Sequence, residues 1–254
     1  MPSPATSSTG GAGTSTLGAA AEPQMGLIGE GVLQALRLLF TGDPEVWRIT
    51  LLSLQVSGAA TLLSLLAGIP AGTALALTRF PGRALVVSLV NTGMGLPPVV
   101  VGLFVTILLW RNGLLGALEL LYTPSAMVLA QFVIAAPIVT GLSLAAVQQI
   151  PERFRLQMLG LGASRLQVTW VLIKEARLPL LAALMAGFGG VISEVGASMM
   201  VGGNVRGSTR VLTTATVLET GKGNFDVAIA LSLILLGITF LVNWALTWIQ
   251  QRRS

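Results

Sequence analysis

Long apolar runs separated by short basic connections dominate the chain. Five runs, at about 49–78, 84–110, 122–150, 178–200 and 227–249, carry few or no charges. Each is long enough to cross about 30 Å of hydrocarbon, which takes roughly 20 helical residues. The pattern predicts an all-α integral membrane protein with five transmembrane helices in a domain covering 46–250. Gly58, Gly68, Pro70, Gly72, Gly93, Gly95, Pro97, Pro98, Gly102 and Pro137 lie inside the runs. In a membrane bundle such residues allow close helix approach and local breaks, because neighbouring helices re-satisfy the freed backbone groups.

Two segments precede the runs. Residues 1–25 are mostly Ser, Thr, Gly, Ala and Pro, a low-complexity composition that predicts a disordered tail. The tail has neither the basic start nor the apolar core of a signal peptide. At 27–42 a short amphipathic pattern follows, with Ile28, Val32, Leu36 and Leu39 on one face and Glu30, Gln34 and Arg37 opposite. It is too short to span, so the expectation is a helix lying in the membrane interface. Asp43-Pro44-Glu45 then reads as a helix start: an N-cap residue, a first-turn proline, and a carboxylate near the positive end of the dipole.

Composition removes most other chemistries. The chain is 53% hydrophobic and 10% charged, against about 25% charged in soluble domains, so water cannot be the solvent for most of its surface. It contains no Cys and no His, which excludes disulfides, thiolate or imidazole metal sites and His-based catalytic triads. No catalytic residue and no metal site is assigned. The nucleotide loop G-x-x-x-x-G-K-[ST] is absent too: Gly221-Lys222-Gly223 lacks both the earlier glycine and the following hydroxyl. If ATP drives this protein, another subunit binds it.

The net charge of +5 is read as topology rather than nucleic-acid binding, because the basic residues fall between the runs. Arg79, Arg83, Arg153, Arg155, Arg165, Lys174, Arg177, Arg252 and Arg253 share one side. Arg37, Arg48, Arg111, Arg206, Arg210 and Lys222 share the other. The excess on the first side predicts an outside N-terminus and a cytoplasmic C-terminus. No internal repeat is evident, which argues against a transporter built from duplicated halves.

The most informative segment is 151–177, which reads as a helix, a glycine break and a second amphipathic helix. Gly160 and Gly162 allow a sharp turn, and Ser164 is placed to cap the second helix. Leu161-Gly162-Ala163-Ser164-Arg165 resembles the glycine-centred core of the EAA loop of type I ABC permeases, the membrane subunits of binding-protein-dependent importers. Arg79-Phe80-Pro81-Gly82-Arg83 and the stretch from Asn91 to Gly102 are similar to that family's first cytoplasmic loop and second helix. Ile192-Ser193-Glu194-Val195-Gly196-Ala197-Ser198 resembles the branch that includes molybdate, tungstate and sulfate permeases. The stretch from Asn204 to Arg210, with Leu218-Glu219-Thr220-Gly221-Lys222, looks most like tungstate-type permeases. Two departures stand out: Leu156-Gln157-Met158 replaces the usual Glu-Ala-Ala, and Leu178-Pro179 comes later than usual.

The resemblance implies a homodimeric permease in the bacterial cytoplasmic (inner) membrane. It also implies an ATPase subunit, carrying the ATP and magnesium, and an extracytoplasmic substrate-binding protein. Glu152, Arg155, Leu159, Gly160, Gly162, Ala163, Ser164 and Arg165 would form the ATPase-coupling loop. Beyond the lipid bilayer no other partner is expected, and no nucleic acid.

For the translocation path or gate the candidates come from the outer half of the fourth run and the segment that follows it. Glu194 is an acid inside an apolar stretch, and such burial is costly. A carboxylate repels an oxyanion, so a gate pair with Arg206 or Arg210 is the expectation. Ser193, Ser198, Asn204, Thr213 and Thr214 offer the donors that an acceptor-only anion requires. Molybdate, sulfate or another small anion is the alternative cargo to tungstate. From other classes, a secondary transporter, a channel or an intramembrane enzyme are the rivals.

Overall fold

The computed structural model describes residues 43–252 together with 29, 31–34 and 37. The tail at 1–25 and much of the helix expected at 27–42 lie outside the described residues. Those described in the latter are helical, and Gly31 is buried so close to Ile229 that a Cβ would meet its side chain.

Among the described residues all regular structure is helical. The helices are α1 (Pro44–Leu77), α2 (Arg83–Met94), α3 (Pro98–Leu109), α4 (Pro124–Gln148) and α5 (Glu152–Gly160). They continue with α6 (Arg165–Glu175), α7 (Arg177–Ile192), α8 (Gly196–Gly202), α9 (Leu212–Gly221) and α10 (Phe225–Gln251). Three of them, α1, α4 and α10, are long and apolar enough to cross a membrane unbroken. The other two apolar runs are each split, α2 from α3 by a bend of 104° and α7 from α8 by 58°. Counting each bent pair as one gives up to five spans.

The spans expected at 84–110 and 178–200 are each broken, for two different reasons. Between α2 and α3, Pro97 and Pro98 lack N–H groups, and a residue before proline is pushed towards extended backbone; Pro97 has ψ 125°. Between α7 and α8 there is no proline. There the Ser193 hydroxyl donates back to Gly189 O at 2.8 Å, and the Glu194 carboxylate accepts from Ala197 N–H at 2.9 Å. Local side-chain bonds replace one turn of helix.

Helix α1 begins as the sequence indicates. Asp43 accepts from the N–H groups of Glu45 and Val46, with Pro44 in the first turn. Its inner face carries Ser57, Thr61, Ser64, Gly68 and Gly72, all buried against α4 or its neighbours. The hydroxyls cause no desolvation penalty there, since Thr61 and Ser64 donate to their own i−4 carbonyls. At Gly72 the two backbones nearly touch: a Cβ would sit 2.4 Å from Thr140 O and 2.8 Å from Leu144 N. At Gly68 it would meet Val139 and the Thr140 N–H. Gly68 and Gly72 form a Gly-x-x-x-Gly pair, the spacing that lets membrane helices pack closely.

Around α4 lies the main core, in which Met127, Ala130, Ile134, Val56, Val101 and Val201 are buried together. At the opposite end Ala146, Val147, Ala176 and Leu180 form a smaller cluster. There Arg83 Nε donates to Leu75 O at 2.8 Å and Arg155 Nη1 to Leu77 O at 3.4 Å. Both cations meet the carbonyl end of α1, where the helix dipole favours positive charge.

Gly72→Ala should destabilise the protein by about 1–3 kcal/mol, because the added methyl overlaps backbone rather than a movable side chain. Gly58→Ala, with open space around the site, should be neutral or slightly stabilising. Thermal unfolding in a fixed detergent checks both, and equal midpoints for the two variants would remove the close-packing assignment.

Candidate functional site

Two regions gather the functional candidates. At the α1 carbonyl end, α5 and α6 form a helical hairpin that is buried along Val168 and Leu172 of α6. Ser164 caps α6 by accepting from Gln167 N–H, while Gln167 Oε1 accepts from Ser164 N–H, a complete capping box. Gly162 has φ +87°, so a left-handed residue makes the turn. Gly160 does not: it is the last residue of α5. The tip is apolar and bare, with Leu161 87% and Leu166 83% exposed, and Leu156 and Trp170 also turned outwards. Arg153 and Arg165 flank it, Arg155 ties it to α1, and Leu159 and Ala163 lie within it. Glu152 opens α5 near the positive end of the α5 dipole.

Deeper in the bundle, level with the middle of α4, the two broken spans meet. A Cβ on Gly196 would touch Val99 at 2.8 Å, and one on Gly102 would lie 2.7 Å from the Ala197 Cα. The starts of α3 and α8 are therefore side by side. Glu194, only 8% exposed, sits in this seam. Its carboxylate takes the Ala197 N–H, its carbonyl accepts from the Thr213 hydroxyl at 3.0 Å, and its N–H donates to Val191 O. Ser198 is buried one turn on and accepts from Gln131 Nε2 at 3.3 Å. Thr214 caps α9 by accepting from Val211 N–H, and Asn204, at φ +50°, donates to Thr214 O. Thr209, which the sequence reading passed over, donates to Gly202 O and accepts from Val205 N–H. Ser193 alone among the five expected donors is exposed.

Ser198, Thr213 and Thr214 have protein partners that brace the seam. The expected gate pair is not found. Glu194 pairs with neither arginine. Both Arg206 and Arg210 turn instead to Glu45 at the start of α1: Arg206 Nε donates to Glu45 Oε1 at 2.8 Å, Arg206 Nη2 contacts Oε2, and Arg210 Nη1 lies 3.6 Å from Oε1. That hydrogen bonding raises the pKa of Arg206. The third outer cation, Lys222, bonds Glu219 at 2.7 Å, and with Asn224 it holds the Glu219 carboxyl below the usual carboxylate range.

Glu45 was legible only as a dipole partner, since 161 residues separate it from Arg206. Gln131 was missed, although an amide in the middle of an apolar run is a detectable signal. Its Oε1 is buried without a hydrogen-bond partner. Among the described residues no cluster of His, Cys, Asp or Glu could hold a metal.

An all-helical bundle with two interrupted spans meeting near its middle and an exposed helical hairpin at one end is the build of a membrane transport permease. The chain belongs to the family of binding-protein-dependent transport system inner membrane components, whose model matches residues 65–254. It is 44% identical over 200 residues to a Haloferax volcanii protein named "Probable anion ABC transporter permease protein", covering 77% of this chain and 86% of that one. It is 38% identical to the tungstate uptake system permease protein TupB of Peptoclostridium acidaminophilum, covering 89% of this chain and 100% of the relative. Among solved structures, the inward-facing MetNI methionine ABC transporter superposes with a TM-score of 0.67 at 22% identity, covering 92% of this chain and 99% of that one. That likeness extends to the fold. The protein is accordingly a multi-pass permease of the cytoplasmic membrane, and its family comprises transport components rather than enzymes.

Glu194→Ala should cost about 1–3 kcal/mol by leaving the buried Ala197 N–H without an acceptor. Glu194→Gln retains an acceptor oxygen and should cost clearly less. Comparing the two by thermal unfolding tests the capping role; equal losses would mean that the negative charge, not the hydrogen bond, matters here.

Proposed function

We propose that this chain forms the membrane pathway of an ATP-driven importer for a small oxyanion, with tungstate as the preferred cargo. The relative at 38% identity, matched over its whole length, carries this reading. Paucity of intramembrane charge fits a permease that makes weak contact with cargo delivered by a separate binding protein. Two copies of the chain would enclose the pathway.

The α5–α6 hairpin is the element we assign to the ATPase subunit. Its exposed leucines and Trp170 offer an apolar knob, and its arginines offer charge around the rim. Arg155 would relay movement of the hairpin to the end of α1 through Leu77 O. ATP and magnesium would reside in that subunit, whose closure favours one facing of the pathway and whose hydrolysis restores the other. The side carrying the hairpin is cytoplasmic in this reading. The N-terminus and the Glu45–Arg206 pair then lie outside, and the C-terminus inside.

Gly162→Val would force a β-branched residue into a left-handed turn, a strain of about 1–3 kcal/mol, and add bulk at the tip. Recovery of the ATPase with the permease and tungstate uptake should both fall while membrane insertion is unchanged. Normal uptake by this variant would sink the docking assignment.

Sidedness has its own test, since the chain has no native Cys. With an impermeant thiol reagent on intact cells, a Cys at Ser208 should label and one at Ser164 should not. Labelling of both from one face would overturn the orientation.

A further inference from the structure

A cavity of about 510 Å³ opens between the start of α1 and the loop after α8. Its polar lining is Glu45, Arg48, Gln55, Arg206, Ser208 and Arg210. Three guanidiniums against one carboxylate give it a formal charge of +2. One of its donors is unused: Arg210 Nε is buried and has no hydrogen-bond partner. Among the described residues Arg48 has no carboxylate within ion-pair distance.

We infer that this cradle is an entry site for a tetrahedral dianion, and that the Glu45 carboxylate occupies it in the dianion's place until cargo arrives. The inference rests on the oxyanion reading above. The competition is decided by charge, acceptor count and exposure. A carboxylate brings one negative charge and two oxygens, whereas the dianion brings two charges and four oxygens, enough to engage Arg48, Arg206 and Arg210 together. Glu45 is well placed to yield. Its side chain is 37% exposed and that of Arg206 73% exposed, and ion pairs this open contribute little net stability. Arg210, at 16% exposure, stays as the fixed wall of the site.

Yielding need not unfold the region. Leu212 N–H still donates to Ser53 Oγ at 2.8 Å, and Val46, Ile49, Leu212 and Ala215 remain packed together. Glu45 thus acts as an exchangeable stand-in for cargo. Its presence also keeps the site from holding the anion tightly, which a pathway must avoid if cargo is to move on.

The test uses the full chain with its ATPase subunit in lipid nanodiscs, without the binding protein, at fixed ionic strength. Retained metal oxyanion is measured by equilibrium dialysis against sodium tungstate and, separately, sodium molybdate. Glu45→Gln, which removes the competing charge, should lower the dissociation constant about tenfold. Arg48→Gln should raise it by a similar factor, and among the described residues Arg48 forms no ion pair whose loss would disturb folding. Unchanged or weaker retention by the Glu45 variant, or no change in the Arg48 variant, overturns the inference. So does a gain in affinity for the binding protein with no gain in dianion retention, which would make the cradle a docking point for acidic side chains. Failure of the wild-type complex with its binding protein to import any oxyanion would instead refute the cargo reading, independently of the dialysis result.

Discussion

Gly68 and Gly72 let α1 lie against the α4 backbone at a separation no side chain would permit, and the placement of the other helices follows from that contact. In lipid, helices gain little from hiding apolar surface, since the surrounding chains are equally apolar. Association must come from close packing and from polar groups that find partners. Helix α4 supplies the surface for both. It packs against α1 on one side and against α2, α3, α7 and α8 on others. Its prolines and glycines serve the same end: Pro137 fills the space left by Gly93 of α2.

On this continuous frame the two broken spans can afford irregular backbone. Non-helical residues inside a membrane need internal hydrogen-bond partners or a cavity to line. The α7–α8 break meets that condition through Glu194, Thr213 and the Ser193 hydroxyl. The α2–α3 break meets it through proline, which removes donors rather than satisfying them. Because Val99 and Gly196 touch, any shift of one break is felt by the other. The hairpin at the far end is joined to the same frame by Arg155 at the end of α1, whose beginning carries Glu45. One continuous helix therefore connects the region assigned to ATPase docking with the proposed entry site.

The sequence reveals elements whose signals are local. The Asp43 cap, the Ser164 cap and the left-handed turn at Gly162 are each written within a few residues, and all three are found as read. Helical class and approximate spans also follow from run length alone. What composition cannot reveal is where a run breaks: 178–200 looks continuous because Glu194 takes the place of a backbone acceptor within its own segment. Pairing across the chain is equally hidden. Glu194 is nearer in sequence to Arg206 than Glu45 is, yet burial directs its carboxylate to a backbone N–H, and the arginines go to the carboxylate at the surface. Gly160 shows a third limit, since its potential for a turn goes unused when the helix continues through it.

Glu45 and Glu194 perform related tasks under different constraints, and the contrast bears on how an anion can pass. Each carboxylate occupies hydrogen-bond donors. At Glu194 the donor is the backbone of α8, the side chain is buried, and removal leaves an unsatisfied N–H; nothing can replace it cheaply. At Glu45 the donors are guanidiniums in a wide, partly solvated cavity, and exchange leaves no group stranded. Under the exchange proposed at Glu45, an anion is drawn to the rim, and its delivery and release are set by partner proteins rather than by a tight site in this chain.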